Sequence, residues 1–203
     1  MIKTLFITCA MFAMTTGLGF AEVEVGKASP NFSLPDTNGK THSLADLKGK
    51  YVVLEWYQPD CPFVRKHYNS GNMQALQKEY TAKGVVWLSI DSSAPGEEGN
   101  YPAAKLNEFA AKDGAARTAL LLDPDGKVGR LYGAKTTPDM YIIDPSGTLV
   151  YRGAIDNKRS TDLDDVKTAT NYVRAALDAA LAGKPVSTTA TQPYGCSVKY
   201  ASN

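Results

Sequence analysis

One stretch constrains the chain more than any other. Residues Tyr51 to Tyr57 are β-branched, aromatic or aliphatic, with Glu55 the only charge, which is the pattern of a strand buried on both faces. Four residues later Cys61-Pro62 opens a helical pattern. Proline suits the first helical position, so Cys61 falls at the N-cap. A strand running straight into a helix demands an α/β architecture. A thiol at that N-cap faces unpaired backbone N–H groups and the positive end of the helix dipole, conditions that favour a nucleophilic thiolate. Arg65, Lys66 and His67 add positive potential if they face the sulfur; Asp60 opposes it. An inert buried cysteine is the plainer alternative.

The rest of the chain alternates in the same way. Asn31 to Asp36 and Thr41 to Ser43 flank Asn38-Gly39, a hairpin signal. A helix is expected from about Pro62 to Lys83, with Met73, Leu76 and Tyr80 on one face and Gly71 as a break point. Val85 to Ile90 reads as a strand, Asp91 to Asn100 as a polar loop, Tyr101 to Lys112 as a helix, Ala119 to Leu122 as a strand and Val128 to Tyr132 as a short helix. Met140 to Ile143 and Leu149 to Tyr151 form a closing strand pair, followed by a helix over Asp162 to Ala182 and an irregular tail. The expected fold is α/β with a mixed sheet.

The N-terminus reads as a secretory signal: Lys3, an uncharged apolar run from Leu5 to Phe20, and small residues Gly19 and Ala21 before a cut after Ala21. Three regions follow: a signal peptide over 1–21, a globular domain over 22–183 and a tail over 184–203. The expected location is periplasmic or secreted, with no membrane association after processing. Cleavage removes Cys9 and leaves Cys61 and Cys196. With 22 basic and 21 acidic residues and no basic block, the chain is not built for nucleic acid.

The segment Trp56 to Val64 resembles the active-site strand and helix start of thioredoxin-like redoxins. Gly26 to Asp36, Leu47 to Leu54 and Leu122 to Lys127 are similar to signatures of the alkyl hydroperoxide reductase/thiol-specific antioxidant group, and the likeness spans roughly residues 24–183. It implies a thioredoxin fold: a mixed β-sheet flanked by α-helices, here with an N-terminal β-hairpin extension and an irregular C-terminal tail. It further implies a cis Thr137–Pro138 bond beside Cys61, and a substrate groove formed by Pro138, Thr137, Pro62 and Trp56. Asp139 is expected to contact whatever sits on Cys61. No cofactor is implied. The implied partners are a thiol or disulfide protein substrate or a small peroxide, and an external thiol reductant.

Two departures shape the expected chemistry. Position 64 is Val where exported dithiol relatives carry a second cysteine, and Leu54 and Gln58 stand where peroxiredoxins carry Pro and Thr. Pro138 occupies the place of the peroxiredoxin arginine. Disulfide exchange is therefore favoured over peroxide reduction, with Cys61 catalytic and Cys196 supplying the missing resolving thiol. The 13 residues from Gly183 to Cys196 can span about 45 Å. A structural disulfide that pins the tail, or a Cys196 that pairs elsewhere, is the alternative. So is a binding module that has lost catalysis, or a copper chaperone using Cys61, His67 and Cys196, although Arg65 replaces such a chaperone's second cysteine. His42 is expected at the surface. Glu55 is read as facing solvent, with a buried proton-relay role the close alternative, and Tyr141 as a core or site-wall aromatic.

Overall fold

The structure, a computed structural model, describes residues 23–202. The expected signal peptide, Cys9 included, lies outside the described residues. In chain order the strands and helices are β1 (Ser33–Pro35), β2 (Thr41–Ser43), β3 (Val52–Trp56), α1 (Pro62–Asn69), α2 (Asn72–Ala82), β4 (Val86–Asp91) and α3 (Ala103–Asp113). Then come β5 (Ala119–Leu122), α4 (Lys127–Tyr132), β6 (Thr136–Thr137), β7 (Asp139–Ile143), β8 (Leu149–Gly153), α5 (Tyr172–Leu181) and β9 (Cys196–Ser197).

Five strands form the central sheet in the order β5-β4-β3-β7-β8. β3, β4 and β5 run parallel; β7 is antiparallel to β3, and β8 to β7. β3 therefore sits in the middle, and its alternation divides the core. Val53 and Tyr57 pack with residues of α1, α2 and α5 on one face, while Val52, Leu54 and Trp56 pack with the β1–β2 hairpin and α4 on the other. Burying each such side chain contributes about 1.5–3 kcal/mol. This is the thioredoxin fold expected from the sequence, and the hairpin extension is present as β1 and β2.

Several expectations change. The single helix over 62–83 is two: Gly71 takes φ +76°, a left-handed turn that ends α1 and starts α2 in a new direction. The helix expected over 162–182 begins only at Tyr172. Asn171 caps it, its side-chain oxygen accepting from the Arg174 amide at 2.9 Å, and residues 164–167 make only a short 3₁₀ turn. His42 is not a surface residue. Its Nε2 lies 2.8 Å from Asp36 Oδ2, and the pair is largely buried. The tail is irregular as expected and crosses the surface along β8, where Arg152 N donates to Thr189 O and Thr191 N to Arg152 O. Further on, β9 pairs antiparallel with β6.

Candidate active site

Parallel β3 delivers the chain to the C-terminal edge of the sheet, where α1 starts. Cys61 caps α1 with extended backbone, and Pro62 occupies the first turn. The Cys61 side chain makes no capping bond. Its Sγ instead donates to the carbonyl of Thr137 at 3.0 Å, and the residue is 1% exposed. The Thr137–Pro138 bond is cis. That geometry puts the Thr137 carbonyl, rather than the free amides of α1, against the thiol.

β9 completes the site. Its register sets Cys196 opposite Thr137. This brings Cys196 to the Thr137 carbonyl that accepts from Cys61 Sγ, and Cys196 packs against the core cluster that holds Cys61. Burial pushes the Cys196 thiol up to about 12, and the neighbouring Cys61 pushes in the same direction. Both cysteines are free thiols. Gly195 permits the approach: it takes φ +145°, and a Cβ there would lie 2.0 Å from the Thr137 oxygen.

The other expected groups divide. Pro62 is exposed at the lip of the site, and Phe63 beside it packs edge-on against Tyr194 at 5.9 Å. Thr137 and Pro138 are buried under the tail. Trp56 does not line the groove. It is wholly buried on the opposite face of β3, against Tyr132 and Tyr141, with its Nε1 donating to Ser92. Tyr141 is core with it. Asp139 is 2% exposed, and its carboxylate accepts from Lys135 N at 3.2 Å; burial pushes it up to about 7. It sits opposite Trp56 in the β3–β7 register, which places it in the wall behind Pro138.

The charges expected to tune the thiol are engaged elsewhere. Arg65 forks onto Asp113 with two bonds of 2.7 Å. Lys66 is buried and donates to the Lys158 carbonyl, with Asp156 at 3.8 Å. Asp60 accepts from Tyr101 OH. His67 is fully buried, and burial lowers it to about 4, so it is neutral at ordinary pH. Its Nδ1 meets Asn72 Nδ2 at 2.9 Å and its Nε2 meets Tyr194 OH at 3.5 Å. Both ring nitrogens of His67 are engaged, which disfavours the alternative copper-chaperone reading. Among the described residues, no cluster of three His, Cys, Asp or Glu side chains is arranged to hold a metal.

Glu55 faces the interior, not solvent. β3 is covered on both faces, and the carboxylate accepts from Trp87 Nε1 at 2.8 Å, Ser89 Oγ at 2.8 Å, Tyr68 OH at 3.0 Å and Gln77 Nε2 at 3.3 Å. Four donors offset the cost of burying it. Sequence reasoning missed Tyr194, Asn72 and Asp156. No periodicity marks them, and Gly195 ahead of Cys196 was the one visible trace.

A cysteine at the head of a thioredoxin-fold helix, facing a cis-proline, defines a thiol-based oxidoreductase. The sequence model of the AhpC/TSA family matches residues 25–152, and the chain belongs to that family. The thiol-disulfide oxidoreductase ResA of Bacillus subtilis (strain 168) is 30% identical over 132 residues, covering 65% of this chain and 68% of the relative. A crystal structure of a hypothetical protein, SMc02350 from Sinorhizobium meliloti 1021, superposes with a TM-score of 0.74 at 25% identity, over 90% of this chain and 98% of that one. A putative thiol:disulfide interchange protein DsbE from Chlorobium tepidum superposes with a TM-score of 0.58 at 25% identity, covering 79% of this chain and 99% of that one. The redoxin resemblance is thus borne out, and the chain is an enzyme of the thiol-disulfide oxidoreductase or peroxiredoxin-like kind. Among the described residues no helix is long and apolar enough to cross a membrane.

Proposed function

We propose that the protein is an exported thiol–disulfide exchange enzyme in which Cys61 attacks and Cys196 resolves. The observation that supports this reading is the β6–β9 pairing, which lays Cys196 opposite Thr137, the residue whose carbonyl accepts from Cys61. The second cysteine of exported dithiol relatives is absent at Val64, and Cys196 in the tail takes its role in this reading.

The reaction balances as follows. The Cys61 thiolate attacks one sulfur of a substrate disulfide; that S–S bond breaks, and the other substrate sulfur leaves as a thiolate and takes up a proton. Cys196, deprotonated, then attacks Cys61 Sγ in the mixed disulfide. The second substrate thiol departs, and a Cys61–Cys196 disulfide remains. The substrate has gained two electrons and the enzyme has lost them. An external dithiol returns them and is itself oxidised to a disulfide. The order follows from the environment. Burial is the larger influence that holds the proton on Cys196, and the neighbouring reduced Cys61 adds to it. Unseating the tail relieves the first and a mixed disulfide on Cys61 removes the second, so Cys196 turns nucleophilic in the second step.

Disulfides are favoured over peroxides as substrates, because Gln58 and Pro138 stand where the peroxidases of this family carry their threonine and arginine. The N-terminal segment supports a periplasmic or secreted location, where disulfide substrates persist. Turnover of a model protein disulfide with a dithiol reductant tests the reading. Cys61→Ser abolishes turnover, and Cys196→Ser accumulates a mixed disulfide on Cys61. Full activity in Cys61→Ser overturns the proposal.

A further inference from the structure

Cys61 is 1% exposed, so no protein disulfide reaches it while the tail is seated. The tail is fixed on either side of Cys196. Beyond it, Val198 N donates to Lys135 O and Tyr200 OH donates to Ala134 O at 2.9 Å. Before it, Tyr194 enters a buried polar cluster, where its hydroxyl donates to Asp156 Oδ1 and its ring lies 5.7 Å from the Lys66 ammonium.

The hydrogen bonds of that cluster have one consistent direction. Asn72 Oδ1 accepts from Asn171 Nδ2 at 3.4 Å, so the Asn72 amide group faces His67 and donates to Nδ1. His67, neutral, then carries its proton on Nε2, which points at the Tyr194 oxygen at 3.5 Å. The Tyr194 proton is left for Asp156. Every polar atom of Tyr194 and His67 is used once, as donor or acceptor, in a chain running from the N-cap of α5 to the tail.

We propose that Tyr194 is a positioning residue for the exchange reaction: docked among Lys66, His67 and Asp156, it seats Cys196 on Cys61, and its release uncovers Cys61 for substrate. The inference rests on the exchange reading above. The cluster suits a reversible latch. Open, its charged groups regain water; closed, Lys66 donates to the Lys158 carbonyl and Asp156 accepts from Tyr194 OH and Lys158 N, so the loss of water is offset and neither position is strongly trapped.

The test is Tyr194→Phe in the full-length protein, which keeps the ring against Phe63 and Lys66 and removes only the hydroxyl. Two quantities are read: the rate of Cys61 alkylation by iodoacetamide, and the equilibrium of the Cys61–Cys196 disulfide with glutathione. Alkylation rises and the equilibrium constant for the internal disulfide falls, each on the order of tenfold to a hundredfold, the range of a lost hydrogen bond to a carboxylate. Tyr200→Phe, which removes a neutral hydrogen bond at the far anchor, changes both by roughly two- to tenfold, clearly less than Tyr194→Phe. Unchanged values in Tyr194→Phe overturn the latch, as do equal effects in the two variants. In the unaltered protein, amides of residues 194–197 exchange with solvent faster than those of β7; exchange only through global unfolding also overturns it. These readouts report thiol chemistry and opening rather than turnover. An active Cys61→Ser enzyme would therefore sink the exchange reading while leaving the latch separately decided.

Discussion

Gly195→Ala tests whether the seated tail controls the site. At φ +145° an L-residue is strained, at about 1–3 kcal/mol. The new methyl would also stand 2.0 Å from the Thr137 oxygen and 2.7 Å from the Thr137 carbonyl carbon, both backbone atoms. Neither can swing aside as a side-chain tip would, so the segment must lift from β6. Strain alone, at about 1.4 kcal/mol per factor of ten, lowers the seated population relative to the lifted one roughly five- to 150-fold, and the overlap adds to it. The three atoms nearest the new methyl all belong to the Thr137–Pro138 backbone, so the clash falls on that turn and the tail. The assay is iodoacetamide alkylation followed by peptide mass spectrometry, with urea unfolding as the control. Cys61 becomes alkylated at least about tenfold faster, and the unfolding free energy falls by no more than the cost of unseating the tail, with a single cooperative transition retained. A Cys61 as protected in Gly195→Ala as in the parent refutes the reasoning, since the tail would then not be what covers the thiol.

Lowered to about 4 by burial from an ordinary 6.5, His67 contributes stability that is fully present above pH 6.5 and is lost as pH falls through about 4. The loss amounts to at most about 3 kcal/mol. Urea unfolding at pH 7 and pH 4.5 shows this slope, and His67→Gln flattens it; an identical slope in the variant contradicts the assignment. Glu55→Gln keeps one acceptor oxygen and turns an N–H₂ either onto the Tyr68 hydroxyl or onto the Trp87, Ser89 and Gln77 donors, costing about 1–3 kcal/mol. The denaturation midpoint falls with an unchanged m-value, and an unmoved midpoint rules the bonding pattern out. In stopped-flow mixing, reduced enzyme reacts faster with a protein disulfide than with hydrogen peroxide; the reverse order would return the chain to the peroxidases of its family.

The sheet and the head of the site were legible because their signals are local. The run from Tyr51 to Tyr57, the Cys61-Pro62 step and Thr137-Pro138 ahead of Met140 each carry their meaning within a few residues. Glu55 was misread because its sequence neighbours cannot show that β3 is covered on both faces. Val166 lies seven residues before Val173 and mimics one helical stripe, yet the Asn171 cap starts the helix later. β6 and β9 are two residues each, too short for any period of two to show. The Tyr194 cluster draws on residues from α1, α2, the loop after β8 and the tail, and such a gathering exists only in the folded chain.

The central claim is that Cys61 and Cys196 form one redox couple. Peptide mapping of the full-length protein after mild oxidation, with free thiols trapped before digestion, tests it most directly. The account predicts one linked peptide pair joining Cys61 to Cys196, lost on mild reduction and formed within a single chain. Cys61 recovered free, or linked only to a second molecule or to an added thiol while Cys196 stays reduced, would contradict it.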